Sequence, residues 1–189
     1  MNSPSYLENQ FLIAMPQMGD SYFSKTVTYL WKHNDEGALG IVINKPLGAS
    51  VADIFDELEI ECGIEEGLFR EAPVLAGGPV ERDKGFIIHD AGKNWESSIS
   101  VTEEISICTS KSILEDIASG NGPENFLIAL GCAGWDAGQL EREINANTWL
   151  TVPADPALIF SGDYENKTQL AASLLGIDLQ QLAPDAGHS

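Results

Sequence analysis

The chain has 189 residues, of which 43% are hydrophobic, and this is the length and composition of one ordinary folded domain. Its 29 acidic and 10 basic residues give a formal net charge of −19, whereas nucleic acids and anionic membranes are bound by surfaces rich in lysine and arginine. We therefore expect neither direct nucleic-acid binding nor membrane association, although an acidic surface could dock a basic protein partner.

The cysteines and the N-terminal sequence indicate a reducing compartment. The chain has three cysteines, Cys62, Cys108 and Cys132. Their odd number and wide spacing argue against a disulfide framework and against a structural zinc site. The sequence contains no signal-peptide pattern and no apolar run of about 18 residues. We expect a cytoplasmic protein without a metal or another cofactor.

The first half of the chain predicts strands followed by a helix. Short runs of apolar, β-branched and aromatic residues predict three strands, the last two as an antiparallel hairpin: 11–15, 26–33 and 38–43. Ser50 and Asp53 have the spacing of a capping box, with Asp in place of Glu or Gln. This box predicts a helix over residues 51–58, in which apolar residues recur at helical spacing.

The second half mixes strands and helices without a regular βαβ alternation. Strands are predicted at 74–76, 85–89, 126–130 and 149–152, with one or two more within 99–109. Helices are predicted at 111–118, 139–146 and 167–175. We therefore expect a single α+β domain over residues 1–189 with a mixed or antiparallel sheet, and loosely ordered ends at 1–9 and 183–189.

Three short segments that contain glycine follow or interrupt predicted strands. They are GIVINKP (40–46), VLAGGPV (74–80) and LIALGCAGW (127–135). Glycine and proline at the end of a strand allow sharp turns and close approach of the backbone to another group. Because loops on a rigid scaffold often carry binding groups, these segments are the predicted location of a functional site.

Scarce positive charges lie in the first segment and shortly after the second. Lys45 beside a helix N-terminus could hold a carboxylate or phosphate, and Arg82 and Lys84 could join it if their strands are neighbours. The alternative is structural: Asn44 makes a turn hydrogen bond, Lys45 is a solvated strand end, and the Gly77-Gly78-Pro79 sequence forms a tight hairpin with exposed charges.

The third segment places Cys132 between a predicted strand and a predicted helix. Backbone N–H groups and the helix dipole can lower a thiol pKa at such a place, and His33 or His89 could then act as a base. This pattern supports a hydrolase or a thiol-dependent enzyme as an alternative function. The structural alternative is a buried cysteine that packs as a small hydrophobic residue.

The sequence resembles a known bacterial family over about residues 11–153. The segments FLIAMPQMGDSYFSKTVTYLWKHNDEGALGIVINKP, LAGGPVERDKGFIIH and LGCAGWDAGQLEREINANTWL are similar, in order and spacing, to the YqgE/AlgH family. The resemblance implies a cytosolic α+β fold with a small closed β-barrel-like sheet surrounded by helices. It implies no reaction, and the family name alone suggests a role in transcriptional regulation. The motif residues are Pro16, Met18, Asn44, Lys45, Pro46, Gly77, Gly78, Pro79, His89, Gly131, Gly134, Trp135, Gln139, Leu140 and Trp149.

The leading hypothesis is a non-catalytic binding or regulatory protein that holds a small anionic ligand or a protein segment. No catalytic residue is assigned, and the sequence contains no complete catalytic set. The candidate ligand-binding residues are Asn44, Lys45, Gly77, Gly78, Arg82, Gly131, Cys132, Gly134, Trp135 and Gln139.

Overall fold

The computed structural model describes residues 6–16, 23–62, 71–92 and 95–182. Met18 and the segments expected to be loose at 1–5 and 183–189 lie outside the described residues. Within the remainder of the expected leader, residues 6–9, two backbone N–H groups donate hydrogen bonds to β2. The Leu7 N–H donates to Nδ1 of His33 over 2.9 Å, and the Asn9 N–H donates to the Leu30 carbonyl over 2.8 Å.

The described residues form ten strands and six helices. The strands are β1 (Gln10–Ala14), β2 (Val27–Asn34), β3 (Gly37–Val42), β4 (Pro46–Ser50), β5 (Pro73–Ala76), β6 (Val80–Asp90), β7 (Ser98–Ser100), β8 (Ile105–Cys108), β9 (Phe126–Asp136) and β10 (Trp149–Pro153). The helices are α1 (Val51–Glu57), α2 (Lys111–Ser119), α3 (Gln139–Asn145), α4 (Pro156–Ile159), α5 (Lys167–Ser173) and α6 (Leu179–Leu182). None of the helices in this part of the chain has the length and apolar composition needed to cross a bilayer.

The capping signals predicted from the sequence are observed at helices α1 and α2. Ser50 accepts a hydrogen bond from the Asp53 N–H through its Oγ, and Asp53 Oδ2 accepts one from the Ser50 N–H over 2.8 Å, which completes the capping box of α1. Ser110 caps α2, and Gly120 ends it in a left-handed conformation with φ of 86°. These local signals therefore set where α1 begins and where α2 begins and ends along the chain.

The sheet is mixed and mostly antiparallel, which confirms the α+β expectation. Its main strand order is β10-β1-β2-β3-β9-β6-β8-β7, and β5 pairs with β4 and, in parallel, with β9. The sheet curls into a half-barrel, and the order of the described strands is open, with β10 at one end and β7 at the other. The expected closed barrel is thus supported only in part.

Two predicted details of the central strands are wrong. The third glycine segment is not a loop, because β9 runs without interruption through Gly131 and Trp135. The Gly77-Gly78-Pro79 sequence is not a hairpin turn either, because β5 and β6 both pair with β9 and not with each other. Ala129 and Leu130 of β9 pair with β5 and β6 at once, so β5 and β6 lie at opposite edges of β9. The connection between them must cross over β9.

The apolar core consists of three clusters. One cluster contains Phe11, Tyr29 and Ile41 and packs beneath the C-terminal helices α4 and α5. A second cluster lies under α1 and α2, and its helical members include Phe55 and Ile113. The third cluster lies beside α3 and is rich in tryptophan. The second cluster matters for the site because α1 and α2 do not cover it completely.

Candidate functional site

The three glycine segments of the sequence meet at one place, where the β5–β6 connection crosses β9. A Cβ atom on Gly78 would lie 2.0 Å from the Cys132 carbonyl carbon, and one on Gly77 would lie 2.3 Å from the Gly131 oxygen. A Cβ atom on Gly131 would lie 2.4 Å from the Gly78 oxygen. We call these residues, Gly77, Gly78 and Gly131, the glycine crossing. Their backbones touch, so these glycines are explained by chain packing.

The first segment joins the glycine crossing through backbone hydrogen bonds. The Val42 N–H donates to the Gly77 carbonyl over 2.8 Å, and the Ala76 N–H donates to the Lys45 carbonyl over 2.7 Å. The Asn44 side chain accepts from the Val27 N–H over 2.9 Å and donates to the Lys25 carbonyl over 3.0 Å. Asn44 therefore fastens this segment to the start of β2 through bonds to residues 17 and 19 positions earlier, and these are not the local turn hydrogen bond of the structural alternative.

The basic residues that follow the second segment project from an irregular part of β6. The pairing of β6 with β9 shifts between Val80 and Gly85, and Glu81 there has a left-handed φ of 49°. Arg82 is exposed, and its Cα lies 3.4 Å from the Cβ position of Gly131. Lys84 lies over the Phe86 ring at 5.5 Å from its centroid. The structure thus brings Arg82 to the glycine crossing and directs Lys84 along β6.

Cys132 is buried, with 2% of its surface exposed, and it lies in the middle of β9. Burial raises the pKa of its thiol; Glu81 adds to this effect and Lys84 opposes it. A buried thiol with a raised pKa is a poor nucleophile, because the thiolate is the reactive form. The expected position at a strand-to-helix junction is wrong, since the next helix, α3, begins only at Gln139.

Both candidate bases use their ring nitrogens elsewhere. Nδ1 of His33 accepts from the Leu7 N–H, so Nε2 carries the proton and donates to Glu141 Oε1 over 3.1 Å. Nδ1 of His89 lies 2.8 Å from the Asp90 carbonyl, and Nε2 lies 2.9 Å from the Ser98 hydroxyl. These contacts give both histidines structural roles and weaken the thiol-catalysis alternative.

Trp135 and Gln139 lie in a different place from the glycine crossing. Trp135 is four residues beyond Gly131, which corresponds to about 13 Å along a strand at about 3.3 Å per residue. The indole N–H groups of Trp135 and Trp149 both donate to Glu143 Oε1 over 2.9 Å, and Gln139 donates to Glu143 Oε2 over 2.9 Å. One carboxylate thus ties β9, α3 and β10 together. Gly134 lies exposed between the two places.

An apolar cavity lies between α1, α2 and the sheet. Its volume is about 440 Å³. Its walls are aliphatic side chains from both helices and from β6 and β9, and a few polar groups lie at the rim. The aliphatic residues that line it are Ile54, Leu58, Ile87, Leu114, Ile128 and Leu130, and the remaining lining residues are Glu57, Asp83, Gly85, Thr109, Ser110 and Lys111. We call this space the α1–α2 cavity.

The sequence interpretation did not identify the α1–α2 cavity, although one signal pointed to it. The apolar face of α1 is wider than its packing requires. Val51 and Phe55 are buried, whereas Ile54 is only partly buried and Leu58 is 38% exposed. Apolar residues at helical spacing normally face a core. Here half of that apolar stripe faces the open cavity.

Charge is unevenly distributed around the α1–α2 cavity. Glu57, Asp83 and Lys111 line it and are exposed, and none of the three has an ion-pair partner among the described residues. The Ser110 hydroxyl caps the N-terminus of α2, because it accepts from the Ser112 N–H over 3.1 Å. The rim therefore presents two carboxylates and one ammonium group to any ligand.

Comparison with known proteins identifies the family. A family model described as DUF179, AlgH-like, matches residues 11–180. The chain belongs to the AlgH-like family. It is 50% identical over 184 residues to a UPF0301 protein of Paraburkholderia phymatum, covering 97% of this chain and 95% of the relative. It is 46% identical over 183 residues to a UPF0301 protein of Chromobacterium violaceum, covering 97% of both. The name UPF0301 states no activity.

Solved structures support the same assignment. The chain is similar to the solution structure of the AlgH protein from Pseudomonas aeruginosa, with a TM-score of 0.78, 44% identity, and coverage of 100% of this chain and 99% of that protein. A protein from Corynebacterium diphtheriae shares the fold with a TM-score of 0.65 at 17% identity, covering 83% of this chain and 81% of that one. The earlier resemblance to this family is thus confirmed.

In this AlgH-like chain, six of the motif residues that carried the resemblance fall into two structural groups. Gly77, Gly78 and Gly131 allow the β5–β6 connection to cross β9. Trp135, Gln139 and Trp149 hold the carboxylate of Glu143. Both groups stabilise the curled sheet against which α1 and α2 enclose the cavity.

Proposed function

We propose that this protein is a non-catalytic binding protein that holds an apolar group of its ligand or partner in the α1–α2 cavity. The observation that carries the proposal is the cavity itself, with a volume of about 440 Å³ and six aliphatic side chains. Ligand sites in proteins are typically concave, mostly apolar and about 300–1,000 Å³ in volume, with a few polar groups that set orientation. The α1–α2 cavity has these properties.

The glycine crossing is the alternative binding place, for the small anionic ligand that the sequence suggests. Arg82 approaches it, and Lys45 belongs to the segment that is hydrogen-bonded to it. The α1–α2 cavity is the better site because the backbones at the crossing approach so closely that no space is left between them. The anionic site would be favoured if Lys45→Ala abolished binding of a small anionic ligand while a variant that fills the α1–α2 cavity retained it.

We further propose that this protein, as a binding protein without catalytic activity, has a regulatory role. The family name suggests transcriptional control, and the net charge of −19 disfavours a direct contact with DNA. Such a role would therefore act through a protein partner. Binding at the α1–α2 cavity would then be the step that regulates or recruits this partner.

A neutral apolar dye tests the proposal. Nile red should bind the wild-type protein with a fluorescence increase, because the aliphatic walls exclude water from the dye. The variant Gly85→Leu should weaken this binding at least about ten-fold, since Gly85 lines the cavity and a Cβ atom there meets no atom within 4 Å. The matched control is Gly162→Leu, which also meets open space but lies in a different cavity. Equal dye binding by both variants would contradict the proposal.

A further inference from the structure

We infer that the occupant of the α1–α2 cavity is a basic amphipathic segment of another protein, which inserts aliphatic side chains and places lysine or arginine at the rim. This inference rests on the proposed function and adds the chemical class of the partner. It is carried by the charge of the rim, the composition of α1 and the exposure of aliphatic side chains at the opening.

The charge of the α1 wall is entirely negative. From Pro46 to Cys62 the sequence contains Asp53, Asp56, Glu57, Glu59 and Glu61 but no lysine or arginine. Asp56, Glu57 and Glu59 are exposed at the end of α1 next to Leu58, which lines the cavity. A cationic partner would meet these charges as soon as it approached the apolar opening.

The other walls do not reverse this charge. The exposed part of β6 contributes Glu81, Arg82, Asp83 and Lys84, whose charges balance. Among the described residues that line the cavity, Lys111 of α2 is the one with positive charge. The overall potential at the opening is therefore negative, and it adds to the field of a chain with a net charge of −19.

The shape and composition of the opening suit side chains of a peptide. Leu58 is 38% exposed at the rim, and the buried Leu114 and Ile128 line the interior. An amphipathic helix binds a groove of this kind by inserting apolar residues spaced one turn apart, while its polar residues remain at the rim. Unpaired carboxylates at Glu57 and Asp83 would then pair with flanking lysines.

Two synthetic peptides provide the test. One is an amphipathic helical peptide with leucines one turn apart and flanking lysines, and the other replaces each lysine with glutamate. Fluorescence polarisation should show that the wild-type protein binds the lysine peptide, and that binding weakens as salt rises to physiological levels. Gly85→Leu should reduce this binding about ten-fold, which separates cavity binding from unspecific attraction to an acidic protein.

Rim variants test the charge directly. The double variant Glu57→Gln/Asp83→Asn should weaken binding of the lysine peptide about five-fold. The control Glu103→Gln/Glu104→Gln removes the same charge at another cavity and should have a smaller effect. If Nile red binds but the two peptides bind equally, or neither binds, this inference is wrong while the proposed function stands. If Nile red also fails to bind, both are wrong.

Discussion

Replacing Gly78 with alanine should strongly destabilise the protein, because the new methyl group has no space at the glycine crossing. It would lie 2.0 Å from the carbonyl carbon and 2.1 Å from the oxygen of Cys132, and 2.4 Å from the Ala133 nitrogen. Ordinary contacts of a Cβ atom are 3.4–4 Å, so the β5–β6 connection and β9 must separate by more than an ångström. These neighbours are main-chain atoms of a central strand and cannot rotate away.

The magnitude follows from the hydrogen bonds that hold the crossing. The bonds from Val42 N–H to Gly77 O, from Gly77 N–H to Leu130 O and from Ala76 N–H to Lys45 O have lengths of 2.7–2.8 Å. Each such bond contributes about 1 kcal/mol to stability, so their loss costs about 3 kcal/mol before any strain is added. That is a large part of the about 5–15 kcal/mol that stabilises a typical domain.

Urea unfolding followed by tryptophan fluorescence measures this effect. The free energy of unfolding should fall by about 3 kcal/mol or more in Gly78→Ala, and the variant could fail to accumulate as folded protein. In the control Gly85→Ala the change should stay within about 0.5 kcal/mol, because a Cβ atom at Gly85 meets nothing within 4 Å. Equal stability of the two variants would refute the packing role assigned to these glycines.

Three further predictions concern Lys167, Glu143 and Cys132. Lys167 is 0% exposed, and burial lowers its pKa to about 8, an effect that Asp163 opposes. The unfolded chain therefore binds more protons between about pH 8 and 10.5, and the Lys167 contribution to the free energy of unfolding should rise by about 3 kcal/mol across this window. The free energy of unfolding of wild type minus that of Lys167→Met, measured by urea unfolding at each pH, isolates this rise. A difference that stays constant with pH would contradict it. Glu143→Ala should cost about 3 kcal/mol in the same assay, because it leaves Trp135, Trp149 and Gln139 without their hydrogen-bond acceptor, and a change below about 1 kcal/mol would oppose this role. Cys132→Ser should leave dye and peptide binding unchanged and cost some stability; complete loss of an activity that wild type possesses would instead support thiol catalysis.

Local sequence signals predicted the elements well where they act through near neighbours. The Ser50–Asp53 capping box, the Gly120 helix end and the β2–β3 hairpin all depend on residues within a few positions of each other. The register and order of the sheet could not be predicted in this way. The crossing of the β5–β6 connection over β9 joins segments about 50 residues apart. A glycine in a sequence is equally compatible with a turn and with a close approach between two backbones.

The candidate site was predicted only indirectly. The glycine segments do converge, but they converge on each other, and the cavity beside them is lined by residues that resemble ordinary core positions. Ile87, Leu114 and Ile128 have the sequence environment of buried residues, and only the three-dimensional packing leaves a space between them. Trp135 and Gln139 were selected from the same segment, yet they support Glu143 at another place in the fold.

The binding location is tested most directly by intermolecular nuclear Overhauser effects between a bound apolar ligand and labelled methyl groups. With Nile red as the ligand, contacts are predicted to the methyl groups of Ile87, Leu114 and Ile128 in the α1–α2 cavity. The exposed Val80, which ends the second glycine segment, and the exposed Leu47, which directly follows the first, should show none. Contacts confined to Leu47 and Val80, with none to the cavity methyl groups, would contradict the account.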